Sequence, residues 1–75
     1  MSTFNRLIEF RKRLGIKQKD MARYLSISKS TLSRYERGSR KITAEYMDKY
    51  AEYLNIEIQF IIKWKNNVNI VGNIL

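Results

Sequence analysis

A mostly α-helical domain of four short helices, followed by one C-terminal β-strand, is the fold class predicted by this 75-residue sequence. Three observations carry the prediction. Apolar residues recur at spacings of three and four up to Leu54, with interruptions at Gly15, at 26–28 and at Gly38 that divide the stretch into four segments. No proline breaks any of these segments from within. From Ile56 onward the apolar period changes to two, as a half-buried strand requires.

The first helix is expected from Phe4 to Leu14, with Thr3 as its N-cap and Leu7, Phe10, Arg11 and Leu14 as its inward stripe. Gly15 follows at the position where a left-handed residue usually ends a helix. The second helix spans 18–25, with Met21, Ala22 and Leu25 facing in and Lys19, Asp20 and Arg23 facing out. The third spans 29–37, capped by Ser28 and stopped by Gly38, so only Ser26, Ile27 and Ser28 separate it from the second. Thr43 caps the fourth helix, 44–54, whose inward residues are Met47, Tyr50, Ala51 and Leu54.

Asn55 is placed to end that helix in the left-handed conformation. Beyond it Ile56, Ile58, Phe60, Ile62 and Trp64 alternate with Glu57, Gln59, Ile61, Lys63 and Lys65, the pattern of a strand over 56–65. A lone strand leaves its backbone groups without partners, so it must pair. Two pairings are open: a hairpin through Asn66 and Asn67 with residues 68–71, or an antiparallel ribbon with the same strand of a second molecule. In the ribbon, Ile58, Phe60, Ile62 and Trp64 form the dimer interface. The expected division is therefore a domain over 1–55 and a strand with its tail over 56–75.

Composition narrows the function classes. The absence of cysteine and histidine removes disulfides, thiolate metal sites and the commonest general base. The acids form no paired constellation and no phosphate-binding glycine loop occurs, so neither an enzyme nor a cofactor or metal site is expected. The segment MSTFNRLIEFRKRLG carries charges where a signal peptide would be apolar, and the uncharged run IQFII is far too short to cross a bilayer. A cytoplasmic protein with no membrane partner is the expectation.

The net charge of +8 is unevenly placed. Eleven of the fifteen Lys and Arg residues, but only two of the seven acids, lie between Arg11 and Lys41. A basic excess confined to one contiguous stretch marks a face for a polyanion. That stretch also holds the two short helices joined by three residues, with small Ala22 where their axes approach and Met21, Leu25, Ile27, Leu32 and Tyr35 at the apolar contact positions. This is the pattern of a helix-turn-helix, whose proper extent is 18–37.

The run FRKRLGIKQKDMARYLSISKSTLSRYERG resembles the Cro/C1-type (XRE-family) helix-turn-helix domain of phage repressors and small bacterial regulators. The likeness covers residues 6–56 and implies a lambda-repressor-like domain. Three departures stand out: Ser26 replaces the usual corner glycine, Lys17 replaces a Ser/Thr cap, and the strand-like 56–65 replaces a fifth helix.

The resemblance implies that the third helix enters the major groove of double-stranded DNA. Ser28, Lys29, Ser30, Ser33 and Arg34 are then the base-contact candidates, with Lys29 and Arg34 able to donate to guanine O6 and N7. It also implies phosphate contacts from Gln18 at the start of the second helix and from Arg40 and Lys41 beyond the third. Lys19 and Arg37, their cationic neighbours, join that set. Arg11 and Glu36 are implied to form a structural ion pair between the first and third helices.

The function expected is sequence-specific regulation of transcription, as a repressor reading a palindromic operator in a homodimer. The alternative is the antitoxin of a toxin–antitoxin pair, which binds both its operator and a toxin protein. A restriction–modification controller is a third regulatory option.

Overall fold

The computed structural model describes the backbone of residues 2–74 and the side chains of residues 2–64. Four helices follow one another: α1 (Thr3–Arg13), α2 (Gln18–Leu25), α3 (Lys29–Arg37) and α4 (Ala44–Ile74). Among the described residues there is no strand. Helix α2 packs on α3 and on α4, and α4 packs on α1.

The cap residues explain where each helix begins and ends. Ser2, not Thr3, caps α1: its hydroxyl accepts the Asn5 N–H at 3.2 Å. Helix α2 begins after Lys17 with no side-chain cap. Ser28 caps α3 by accepting the Thr31 N–H at 3.1 Å, and Thr43 caps α4 by accepting the Tyr46 N–H at 3.2 Å. Gly15 and Gly38 adopt positive φ (73° and 79°), and Ser26 does so without being glycine, at φ 58° and ψ 39°. The corner between α2 and α3 thus has the left-handed turn that a glycine would adopt without strain, built on a residue that strains to make it.

The core is the buried set Phe4, Ile8, Ile16, Met21, Ala22, Leu25, Leu32, Tyr35, Tyr50 and Leu54. Aromatic contacts lock the helices in pairs. Phe4 of α1 meets Tyr50 of α4 edge-on at 5.1 Å between ring centroids, and Tyr24 of α2 stacks on Tyr53 of α4 at 4.7 Å. Such pairs contribute about 0.5–1.5 kcal/mol each beyond the area they bury. The inward stripe of α1 keeps the expected Leu7, Arg11 and Leu14 but takes Phe4 and Ile8 in place of Phe10. Phe4, Ile8 and Arg11 are buried, whereas Phe10 is 49% exposed. Both sets obey the three-and-four rule, and only packing against α4 selects between them.

The largest correction concerns residues 55–74. Asn55 does not end α4, residues 56–65 are not a strand, and 68–71 is not the return arm of a hairpin, because all of them continue one 31-residue helix. Two physical terms favour this outcome. Extending an existing helix costs only propagation, and every added residue satisfies its own backbone groups, whereas a single strand satisfies none. The sequence also carries a second period that the alternation hides. Met47, Tyr50, Leu54, Ile61, Trp64, Val68 and Val71 fall on a three-and-four spacing broken only at Glu57. The strand-derived interface is therefore dispersed around a helix: Ile58 is half-buried, while Phe60, Ile62 and Trp64 are exposed.

Candidate nucleic-acid interface

One buried carboxylate joins all four helices. Glu36, on the inner side of α3, accepts two hydrogen bonds from Arg11 of α1: Nε to Oε2 at 2.8 Å and Nη2 to Oε1 at 2.7 Å. The Tyr50 hydroxyl of α4 donates to Oε2 at 2.8 Å, and the Gln18 amide of α2 donates to Oε1 at 3.0 Å. Arg11 completes its own set by donating Nη1 to the Ile16 carbonyl at 2.7 Å and Nε to Tyr50 Oη at 3.1 Å. Arg11 is only 7% exposed, yet no buried side-chain nitrogen or oxygen among the described residues is left without a partner.

The protonation states follow from this arrangement. Burial pushes the Glu36 carboxyl up, but hydrogen bonds from Arg11, Gln18 and Tyr50, together with the Arg11 charge, outweigh it and hold it below the ordinary value. Burial, together with the hydrogen bond to Glu36 and its negative charge, raises the Tyr50 phenol well above its usual range. Burial alone would lower the Arg11 guanidinium, and its hydrogen bonds and Coulomb attraction to Glu36 reverse the sign. The network is a neutral, bidentate ion pair at neutral pH, sealed from water.

The outer side of α3 has the opposite character. Ser28, Lys29, Ser30, Arg34 and Arg37 are exposed and Ser33 is half-buried, while Leu32 and Tyr35 are buried on the inner side. Among the described residues, the side chains of Lys29, Arg34 and Arg37 make no ion pair or hydrogen bond within the chain. Ser28 is committed to capping: besides accepting from the Thr31 backbone, its hydroxyl donates to Thr31 Oγ1 at 2.8 Å and lies 3.2 Å from Ser30 Oγ. These bonds fold three hydroxyls against the first turn of α3, so its leading edge is low and polar.

Around this helix the remaining candidates take different positions. Lys19, Arg40 and Lys41 are exposed. The Arg40 guanidinium lies 5.4 Å from the centroid of the Tyr35 ring, a cation–π contact that holds it beside the C-terminal end of α3. The backbone there is fixed by a left-handed Gly38 and by the Ser39 and Arg40 N–H groups, which both donate to the Arg34 carbonyl. Gln18 stands apart from the other phosphate candidates, because its amide nitrogen is directed to Glu36 rather than outward. Sequence reasoning missed three members of the network: Gln18, the Tyr50 hydroxyl and the Ile16 carbonyl. A tyrosine on an inward stripe was the one available signal, since a buried phenol needs a partner.

Among the described residues no group of His, Cys, Asp and Glu could hold a metal ion, and no helix is long and apolar enough to cross a membrane. A protein-family model described as helix-turn-helix matches residues 7–61, which runs from α1 into the middle of α4. Neither the curated proteins nor the solved structures give a significant match.

Proposed function

Because this chain belongs to the Cro/C1-type helix-turn-helix family of DNA-binding transcription regulators, we propose that it is a repressor that reads a palindromic operator as a homodimer. The observation that carries this reading is the outer side of α3, where unpaired cations stand beside small hydroxyls on a helix whose inner side is fully anchored. A helix that must lie deep in the major groove needs short side chains at its leading end and a few long donors behind them.

In this reading Lys29, Ser30, Ser33 and Arg34 face base edges, and Arg34 donates in bidentate fashion to a guanine. Ser28 acts at the same edge mainly by capping, with its backbone at the groove mouth. Lys19, Arg37, Arg40 and Lys41 contact phosphates and supply salt-dependent affinity without sequence information. Gln18 supports α3 through Glu36 and contacts a phosphate at the start of α2 with its main-chain N–H and its second amide N–H. One such unit buries too little surface for strong specific binding, so two half-sites about one helical turn apart are required.

Selection of binding sites from random duplex DNA tests the proposal. The expected product is an inverted repeat with half-site centres about 10 base pairs apart, or a multiple of that spacing. Recovery of sequences with no shared motif, bound only at low salt, would reject operator reading.

A further inference from the structure

Where α1 begins beside the C-terminal end of α3, the chain leaves a cleft of about 410 Å³. One wall is the end of α3 and the segment after it, with Arg37, Arg40 and Lys41. The other is the start of α1, with Ser2 and Asn5. The buried Phe4 and Tyr35 line it between these walls.

The charge in this cleft has one sign. Among the described residues three cations line it, and the one acid there, Glu36, has both carboxylate oxygens taken by Arg11, Gln18 and Tyr50. The side chains of Arg37 and Lys41 have no hydrogen-bond or ion-pair partner among the described residues. Arg40 has only the Tyr35 ring, which holds its guanidinium 5.4 Å from the ring centroid and so positions it before any ligand arrives. On the facing wall the Asn5 side-chain amide is exposed and has no partner among the described residues. The Ser2 hydroxyl accepts the Asn5 N–H, which leaves its own proton to be donated.

We propose that this cleft seats a phosphate group, held by Arg37, Arg40 and Lys41 on one wall and by the Asn5 amide and the Ser2 hydroxyl on the other. Unneutralised cations facing neutral donors suit an oxyanion that can be gripped from two sides. A phosphate presents its acceptor oxygens in more than one plane, whereas a carboxylate presents two in one plane that a single guanidinium satisfies. Helix α1 thereby joins the anion-binding surface through Ser2 and Asn5, two residues with no part in base reading.

Two sources can supply that phosphate: the backbone of a bound duplex, or a free phosphate ester that competes with the duplex for the same cations. The first source rests on the DNA-binding reading, and the cleft itself does not. Asn5→Asp separates the seat from an architectural role by sign. Residue 5 lies in the first turn of α1, which holds no acid, and a carboxylate there favours the helix through its dipole. The fold should be kept, with Tm unchanged or raised, while a negative charge enters the cleft wall.

With the full chain, Asn5→Asp should weaken duplex binding by about tenfold, equally on an operator and on unrelated DNA, with a shallower dependence of log Kd on log salt. Gln59→Glu makes the same change in net charge at an exposed position of α4 outside the cleft, and should stay near the parent. In a second arm, inorganic pyrophosphate is titrated at fixed ionic strength while the amide resonances of residues 2–5 and 37–41 are followed. Loss of duplex affinity without pyrophosphate shifts assigns the seat to the DNA backbone. Shifts that Asn5→Asp abolishes, with duplex affinity kept, assign it to a free phosphate ester, and both effects together assign it to both. A variant that binds duplex like the parent, with a parent indifferent to pyrophosphate, overturns the seat and leaves operator reading standing if that variant still selects its operator. Equal losses in Asn5→Asp and Gln59→Glu also overturn it, since net charge alone would then account for them. A loss confined to Asn5→Asp in a chain that prefers no sequence would reject operator reading and retain the seat.

Discussion

Arg11 and Arg34 are the same residue type used in opposite ways, and the regions around them differ accordingly. Arg11 lies in the sealed network, with three hydrogen bonds to Glu36 and Tyr50 besides the one to the backbone it tethers, and its charge is neutralised at 2.7 Å by Glu36. Arg34 lies on the open side of α3 with no partner among the described residues. The first arrangement contributes to keeping the fold and the second leaves binding capacity unspent. Substitutions in the two regions should therefore separate into losses of stability and losses of affinity.

The largest effect is expected at Glu36. Glu36→Ala leaves the Arg11 guanidinium buried without a counter-charge and should cost about 3 kcal/mol or more, a drop in Tm above about 10 °C. A melting temperature within about 2 °C of the parent would break the comparison, because the network would then carry no structural weight. Acid should act in the same direction. The folded carboxyl of Glu36 titrates below the ordinary value near 4.3, so its stabilisation is complete above about pH 5 and lost as pH falls through the folded value. Thermal melts from pH 7 to pH 2 should show that loss, and Glu36→Ala should lose less over the same range.

On the open side, Arg34→Ala should weaken binding to the selected operator by about 1–3 kcal/mol, or roughly 5- to 150-fold. Its unfolding free energy should stay within about 0.5 kcal/mol of the parent. Titration by fluorescence anisotropy against the operator and against unrelated duplex would show the loss confined to the operator. Equal loss on both would move Arg34 to the phosphate-binding set.

Tyr50→Phe probes the sealed region more gently. It removes one donor to Glu36 and one acceptor for Arg11 while keeping the ring against Phe4, and should cost about 1–2 kcal/mol. Denaturant unfolding would measure it, and a neutral result would mean that Arg11 and Gln18 alone satisfy the carboxylate. The smallest effect is expected at the corner joining the two regions. Ser26→Gly should raise stability by about 0.5 kcal/mol, because relief of the left-handed strain exceeds the added freedom of the unfolded chain. A destabilised Ser26→Gly chain would mean that the serine side chain contributes more than its strained backbone costs.

Much of the body was legible in the sequence for reasons that are local. The bounds of α2 and α3 follow from Ser28, Gly38 and a short apolar stripe, each of which acts within one turn. Other features depend on what lies across the core. Nothing near Phe10 in sequence says that Tyr50 of α4 covers Phe4 while Phe10 stays exposed. Nothing near Gln18 says that a carboxylate eighteen residues away will take its amide. Residues 56–65 were misread because alternation and helical spacing coexist there, and the decision between them lies in α4 itself, already formed and able to continue.

The cluster on Glu36 has a mechanical meaning as well as an energetic one. It grips α3 near its C-terminal end, while Lys29 stands seven residues away, about 10 Å along the axis. The buried Leu32 and Tyr35 seat the helix, and the carboxylate cluster adds the directional bonds that fix its tilt. A tilt of about 5° at the grip would displace the far end by roughly 1 Å, enough to spoil a hydrogen bond whose useful range spans about half that distance. The rigidity of a few bonds around one carboxylate is thus projected to the reading end, where it sets how finely the helix can be aimed.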